Sequence, residues 1–175
     1  VLTDSVAREE LDFAIVPPVA ADPRLRSSHV ARDRELFVTS TRTTRRHLQP
    51  VSIAAAGPLR LILPTRGNAR RARLDDYLKS VGADVVAVLE MDAMMGTLEL
   101  IASSDWVSIL PATLCYPDLD GQQRRIHPIA DPPLFVDYVL ITPASRTVGS
   151  AATAFADTLA RQIRLIGEAW TERLG

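Results

Sequence analysis

Four short apolar runs in this chain each stop at a proline: 11–16 before Pro17, 59–63 before Pro64, 107–110 before Pro111 and 139–142 before Pro143. Proline fixes φ and removes an amide donor, so it closes a strand rather than extending the ladder. A polar or small stretch follows Pro64, Pro111 and Pro143, and an amphipathic helical pattern follows two of these. This alternation is the rhythm of βα units in an open, mostly parallel sheet. Such sheets take ligands outside the carboxyl ends of their strands, so the residues just after these prolines are where a site is sought.

The clearest unit runs from Pro58 to Gly82. Leu59-Arg60-Leu61-Ile62-Leu63 reads as a strand and Thr65-Arg66-Gly67-Asn68 as a turn, followed by a helix over 69–81. Leu74, Tyr77, Leu78 and Val81 keep the i, i+3, i+4, i+7 spacing of one buried face, and Gly82 is placed to stop the helix. A strand at 85–89, a turn at 90–95, a helix at 96–103 and a strand at 107–110 come next. A short helical stretch and a polar loop over 117–125 follow, then Asp131-Pro132-Pro133 as a stiff extended crossing. The sheet resumes at 136–141, and a last helix from Ser150 to about Arg173 places Ala151, Phe155, Leu159, Ile163, Ile166 and Trp170 along one stripe. At the other end, a short helical pattern runs into Leu11–Val16, which is apolar enough to be buried on both faces. Residues 17–34 read as a proline-punctuated polar segment, and Glu35–Thr39 as a short strand. Two extended crossings, near 36–38 and 134–136, are how a two-lobed hinge is built.

Composition excludes several classes of function. A formal net charge of −1 over 175 residues gives no basic surface of the kind phosphate backbones require. No stretch approaches the ~20 apolar residues of a membrane span. The amino terminus carries Asp4, Glu9 and Glu10 rather than a cationic, apolar signal pattern, which favours the cytoplasm. Cys115 stands alone, so no disulfide or thiolate metal site can form within one chain, and a buried structural thiol is expected. The arginine clusters at 42, 45 and 46 and at 66, 70, 71 and 73 read as solvated surface, as does Asp75-Asp76.

Thr65-Arg66-Gly67-Asn68 lies where unpaired amides and a helix dipole favour a carboxylate or other anion. The same residues also serve simply to cap the helix. Met91-Asp92-Ala93-Met94-Met95-Gly96-Thr97 is a second such turn, whose methionines suit either an adaptable pocket wall or ordinary core filling. His29, His47 and His127 fall in loop-like regions with no HxH or HxxxH spacing, and no GxSxG, P-loop or GxGxxG motif is present. No catalytic residue, metal or cofactor is expected.

The order of these segments is familiar. Glu10-Leu11-Asp12-Phe13-Ala14-Ile15-Val16, Glu35-Leu36-Phe37-Val38, Pro58 through Pro64, Gly96-Thr97-Leu98-Glu99-Leu100-Ile101-Ala102 and Val107-Ser108-Ile109-Leu110-Pro111 span nearly the whole chain. Together they resemble the C-terminal effector-binding (substrate-binding) domain of LysR-type transcriptional regulators. The resemblance implies an α/β fold like the type 2 periplasmic binding proteins, with two Rossmann-like lobes joined by crossing hinge strands. On that template 1–36 with 137–175 form a first lobe, N-terminally incomplete, and 37–136 form the second. The family's N-terminal winged helix-turn-helix, its linker helix and the first βα turn precede the point where this sequence starts. The implied function is a cytoplasmic sensor, not an enzyme, which binds a small effector such as an organic or aromatic acid between the lobes and so modulates DNA binding and transcription. Val16, Pro17, Thr65, Arg66, Asn68, Met94 and Thr97 match the family's pocket regions. DNA would be contacted only through the absent N-terminal domain, and the intact protein would be a homodimer or tetramer. One departure stands out: Ser104-Asp105-Trp106 replaces a common glycine pair, putting an indole in or beside the cleft. A free-standing solute-binding protein of the same fold is the alternative, and an enzyme on the same scaffold a more distant one.

Overall fold

The computed structural model describes residues 2–174 and divides the chain into two compact units, Val1–Asp33 with Phe135–Ala169, and Arg34–Leu134 with Trp170–Gly175.

In the first unit a short helix α1 (Leu2–Ala7) leads to β1 (Ala14–Val16), which pairs antiparallel with β7 (Phe135–Pro143), Val16 standing opposite Val139. β7 also borders β2 (Leu25–Ser40). Val6, Ala14, Val16, Val139 and Ile141 form one small core. α4 (Ser150–Leu174) follows β7; it buries Ala152, Ala156, Ile163 and Trp170. Ala151 and Phe155 are exposed, so the buried stripe starts one residue later than the spacing predicts. Phe155 instead reaches Phe13, with ring centroids 5.6 Å apart.

The second unit carries the remaining elements: β3 (Leu59–Leu63), α2 (Ala69–Ser80), β4 (Val85–Glu90), α3 (Met94–Ser103), β5 (Ser108–Pro111) and β6 (Arg124–Pro128). β3 and β4 are parallel, with Leu63 opposite Glu90. A parallel bridge between Leu61 and Val107 carries the sheet on toward β5. The last residues of β2 run antiparallel to β5 on one side and to β6 on the other. The expectation of a mostly parallel sheet therefore fails outside β3, β4 and β5. Parallel pairing needs a long crossover, and α2 and α3 supply one only between those strands. Phe37, Ile53, Leu61, Leu63, Leu74, Tyr77 and Ile109 share the main core, and Tyr77 donates its hydroxyl to the Pro132 carbonyl at 2.9 Å.

Two strands are longer or newer than the sequence reading has them. β2 starts ten residues before Glu35, and β6 occupies part of what reads as loop. Both hold charged or polar residues inward. Asp33, Glu35, Arg124 and His127 are all buried, so the apolar signal that marks a strand is missing. His29 and His127 accordingly lie in strands rather than loops. His127 Nδ1 is 3.2 Å from the Gln49 carbonyl and Nε2 is 3.1 Å from the Thr39 hydroxyl. A carbonyl only accepts, so Nδ1 carries the proton and Nε2 accepts from Thr39, the neutral tautomer. Burial, with Arg45, His47 and Arg125 nearby, pushes its pKa down to about 4. His47 bridges the Leu119 carbonyl and the Ile126 amide. Gly121, at φ +69°, passes so close that a Cβ would stand 2.5 Å from the His47 ring, which reserves the position for glycine. Cys115 is buried, as expected of a structural thiol.

Candidate functional site at the strand ends of the second unit

The turn after β3 and the turn after β4 lie side by side because their strands are parallel neighbours. Leu63 faces Glu90 in that register, so two residues further on Thr65 faces Asp92. The Asp92 carboxylate accepts from the Thr65 amide at 3.2 Å, from the Thr65 hydroxyl at 2.6 Å and from the Asn68 side-chain amide at 3.2 Å. These bonds, the Thr65 hydroxyl first, hold the Asp92 carboxyl below its ordinary pKa. Asn68 also caps α2, its Oδ1 accepting from the Arg70 amide at 3.0 Å. Capping and anion recognition thus coexist in one turn, and the anion present is the protein's own.

Behind the turns lies a small depression lined by Pro64, Arg70, Met91, Met94, Thr97 and Ser108 among others. Its volume of about 20 Å³ is room for roughly one water molecule. Its polar groups are engaged internally. Thr97, buried in the first turn of α3, donates to the Ala93 carbonyl at 3.2 Å, and Ser108 donates to the Ile62 carbonyl at 2.8 Å. Arg70 makes a two-pronged ion pair with Glu35 at 2.9 and 2.6 Å and reaches the Ile109 carbonyl at 2.7 Å. Gly96 packs against Met91: a Cβ there would lie 3.2 Å from its sulfur.

Of the seven candidate residues, Thr65, Asn68, Met94 and Thr97 gather at these two turns. Arg66 points outward with its side chain 86% exposed, 3.5 Å from Glu90. Val16 ends β1 in the first unit, buried against Val139, and Pro17 follows it half-buried. The sequence reading missed Asp92, Arg70 and Glu35 as site residues. Asp92 was within reach, since parallel neighbours of known register place equal offsets opposite each other. Arg70 and Arg71 also depart from the solvated surface expected of them. Arg71 is buried and bonded to Asp75, Glu90 and the Pro64 carbonyl. Trp106 lies elsewhere: it precedes β5, four residues and ~13 Å of strand away from Leu110. Among the described residues no group of three or more His, Cys, Asp or Glu could hold a metal ion, and no helix is long and apolar enough to cross a membrane.

Comparison with known proteins places this architecture. The family model of the LysR substrate binding domain matches residues 1–164. No curated protein sequence matches the chain. The regulatory domain of CcmR from Synechocystis PCC6803, solved in complex with 2-PG, superposes with a TM-score of 0.75 at 16% identity, covering 91% of this chain and 76% of that one. A mutant of OxyR from Corynebacterium glutamicum gives 0.79 at 14% identity over 98% of this chain and 54% of its own. The effector binding domain of QuiR in complex with shikimate gives 0.68 at 16% identity over 93% and 76%. These likenesses define a fold of the periplasmic-binding-protein kind, made of α/β units joined by shared strands. The chain belongs to the LysR substrate binding domain family.

Proposed function

We propose that this chain is the effector-sensing region of a bacterial LysR-type transcriptional regulator and that it responds to a small organic or aromatic acid. The observation that carries the ligand class is the pair of turns at the β3 and β4 strand ends, which already cradle a carboxylate. Thr65 and Asn68 present three donors to Asp92, so the turn is preorganised for a carboxylate. An acid entering here takes the place of the Asp92 side chain. Met94 and Thr97 supply the apolar wall and a hydroxyl, and Arg66 a peripheral cation. The relatives CcmR and QuiR, solved with 2-PG and shikimate, support a small-molecule effector.

By linkage such an effector acts only through its different affinity for two arrangements of the protein. In the intact regulator, DNA is read by an N-terminal winged helix-turn-helix, and the working unit is a cytoplasmic homodimer or tetramer. Val86 and Val88, 58% and 44% exposed on β4, offer apolar surface for such self-association. The role is regulatory, without catalysis or cofactor. A thermal-shift screen of organic acids, aromatic carboxylates and amino acids at millimolar concentration tests it, because a ligand of the native state raises the midpoint by mass action. A stabilising acid whose effect disappears in Thr65→Ala and Thr97→Val is the expected result. A stabilising ligand indifferent to both substitutions refutes the site, and stabilisation by amines alone refutes the ligand class.

A further inference from the structure

Two sequence features that the strand-end turns leave unused meet in one place. Arg42, from the first arginine cluster, and the Ser104-Asp105-Trp106 segment, far apart in sequence, line the same pocket of about 260 Å³ at the opposite end of the second unit's strands, together with Ser40 and Thr43. The pocket has a flat aromatic wall. Arg60 stacks over the Trp106 ring at 4.5 Å and pairs with Asp105 at 2.8 Å, which covers one face of the indole and neutralises the one acid at the rim. Trp106 lines the pocket and Arg60 does not.

The other groups are donors. Arg42 has no ion-pair partner among the described residues. The Trp106 indole N–H meets no acceptor among them. Ser40 and Thr43 use their oxygens to accept from the Arg42 and Arg45 amides at 3.3 Å, leaving both hydroxyl protons for a ligand. A pocket with one uncompensated cation, three further donors and an aromatic plane complements a flat monoanion. The volume sets its size. An apolar cavity of ~150 Å³ holds benzene, whereas drug-sized ligands need ~300 Å³ or more, so one ring with a carboxylate is the match.

We propose that this pocket is a second small-molecule site, separate from the strand-end turns, and that it takes a single-ring aromatic carboxylate. The acid bonds Arg42 and the two hydroxyls while the ring lies against Trp106. The test uses benzoate and the two indole N–H signals in a ¹⁵N–¹H spectrum. Trp106→Phe assigns them by removing one; Trp170, whose N–H donates to the Ala112 carbonyl, is the internal control. The Trp106 signal is expected to move saturably, with a Kd of ~1 mM or tighter, while Trp170 stays in place. Arg42→Gln, on an exposed side chain, should raise the Kd by ~tenfold or more, the loss of a charge-assisted bond. Acetate, lacking the ring, and benzyl alcohol, lacking the charge, should each bind at least ~tenfold more weakly, and Thr97→Val should change nothing, which separates this site from the strand-end turns. A Trp106 shift that is linear to about 20 mM, or that Arg42→Gln leaves intact, overturns the proposal.

Discussion

Glu35→Gln is the substitution that most directly tests how the candidate site is held. Glu35 sits in β2 just after the chain passes from the first unit to the second, and Arg70 sits in the first turn of α2, directly behind the Thr65–Asn68 turn. Their side chains are 3% and 14% exposed, so the ion pair is buried. Glutamine keeps the volume and one acceptor but turns an amide toward the guanidinium. One Arg70 N–H then loses its acceptor and the cation its counter-charge. Removing one partner of a buried pair costs ~3–5 kcal/mol. The retained bond to the Ile109 carbonyl and the residual exposure of Arg70 reduce this, to ~2–3 kcal/mol. Urea unfolding reads the loss as a midpoint lowered by ~1–2 M at unchanged slope. Replacing both residues, Glu35→Leu with Arg70→Met, should recover much of it, since a buried pair exchanged for apolar groups of similar size is often neutral. A single-variant loss below ~0.5 kcal/mol, the scale of an exposed pair, refutes the reasoning. So does a double variant whose loss equals the sum of the two singles.

Other substitutions probe other contacts. His127 is neutral in the folded protein down to about 4, against an ordinary 6.5. The unfolded chain binds the proton first, so stability is full above pH 6.5 and falls as pH drops toward 4, by up to ~3 kcal/mol; His127→Gln should remove that part of the slope in urea midpoints taken from pH 7 to 4.5. Trp170→Phe leaves the buried Ala112 carbonyl without its donor and should cost ~1–3 kcal/mol in the same assay. Asp92→Ala strips the Thr65 amide of its acceptor, so hydrogen exchange at Thr65 should accelerate by ~tenfold or more without a change in global stability.

What could be read from the residues follows the apolar pattern closely. The β3–α2 unit was legible almost residue by residue, because Leu59–Leu63, Pro64, Asn68, the Leu74–Tyr77–Leu78 face and Gly82 each carry an independent local signal. The first ten residues of β2 were not, because most of them are exposed and of the two buried positions, Ala31 and Asp33, one is an acid, which looks like surface until its partner is known. Arg124 and His127 hid β6 for the same reason: Arg124 is buried against Asp118 at 2.7 Å. Within the candidate site, Thr65, Asn68 and Thr97 announced themselves by residue type and position after a strand. Asp92 and the Arg70–Glu35 pair did not, since each acts through a tertiary contact spanning 24 to 35 residues of sequence. Trp106 was expected in or beside the effector cleft. The chain direction of β5 puts it at the far end of the strand instead.

The chain passes between its two units three times, not twice, because the end of α4 from Trp170 onward belongs with the second unit while the rest of the helix belongs with the first. Trp170, the residue at which the helix changes unit, is held there by its indole N–H on the Ala112 carbonyl at 3.0 Å. The same geometry reaches into practice. A reporter or tag joined behind α4 is attached to the second unit although almost the whole helix belongs to the first, and a truncation before Trp170 removes the Ala112 contact while leaving both crossing strands in place.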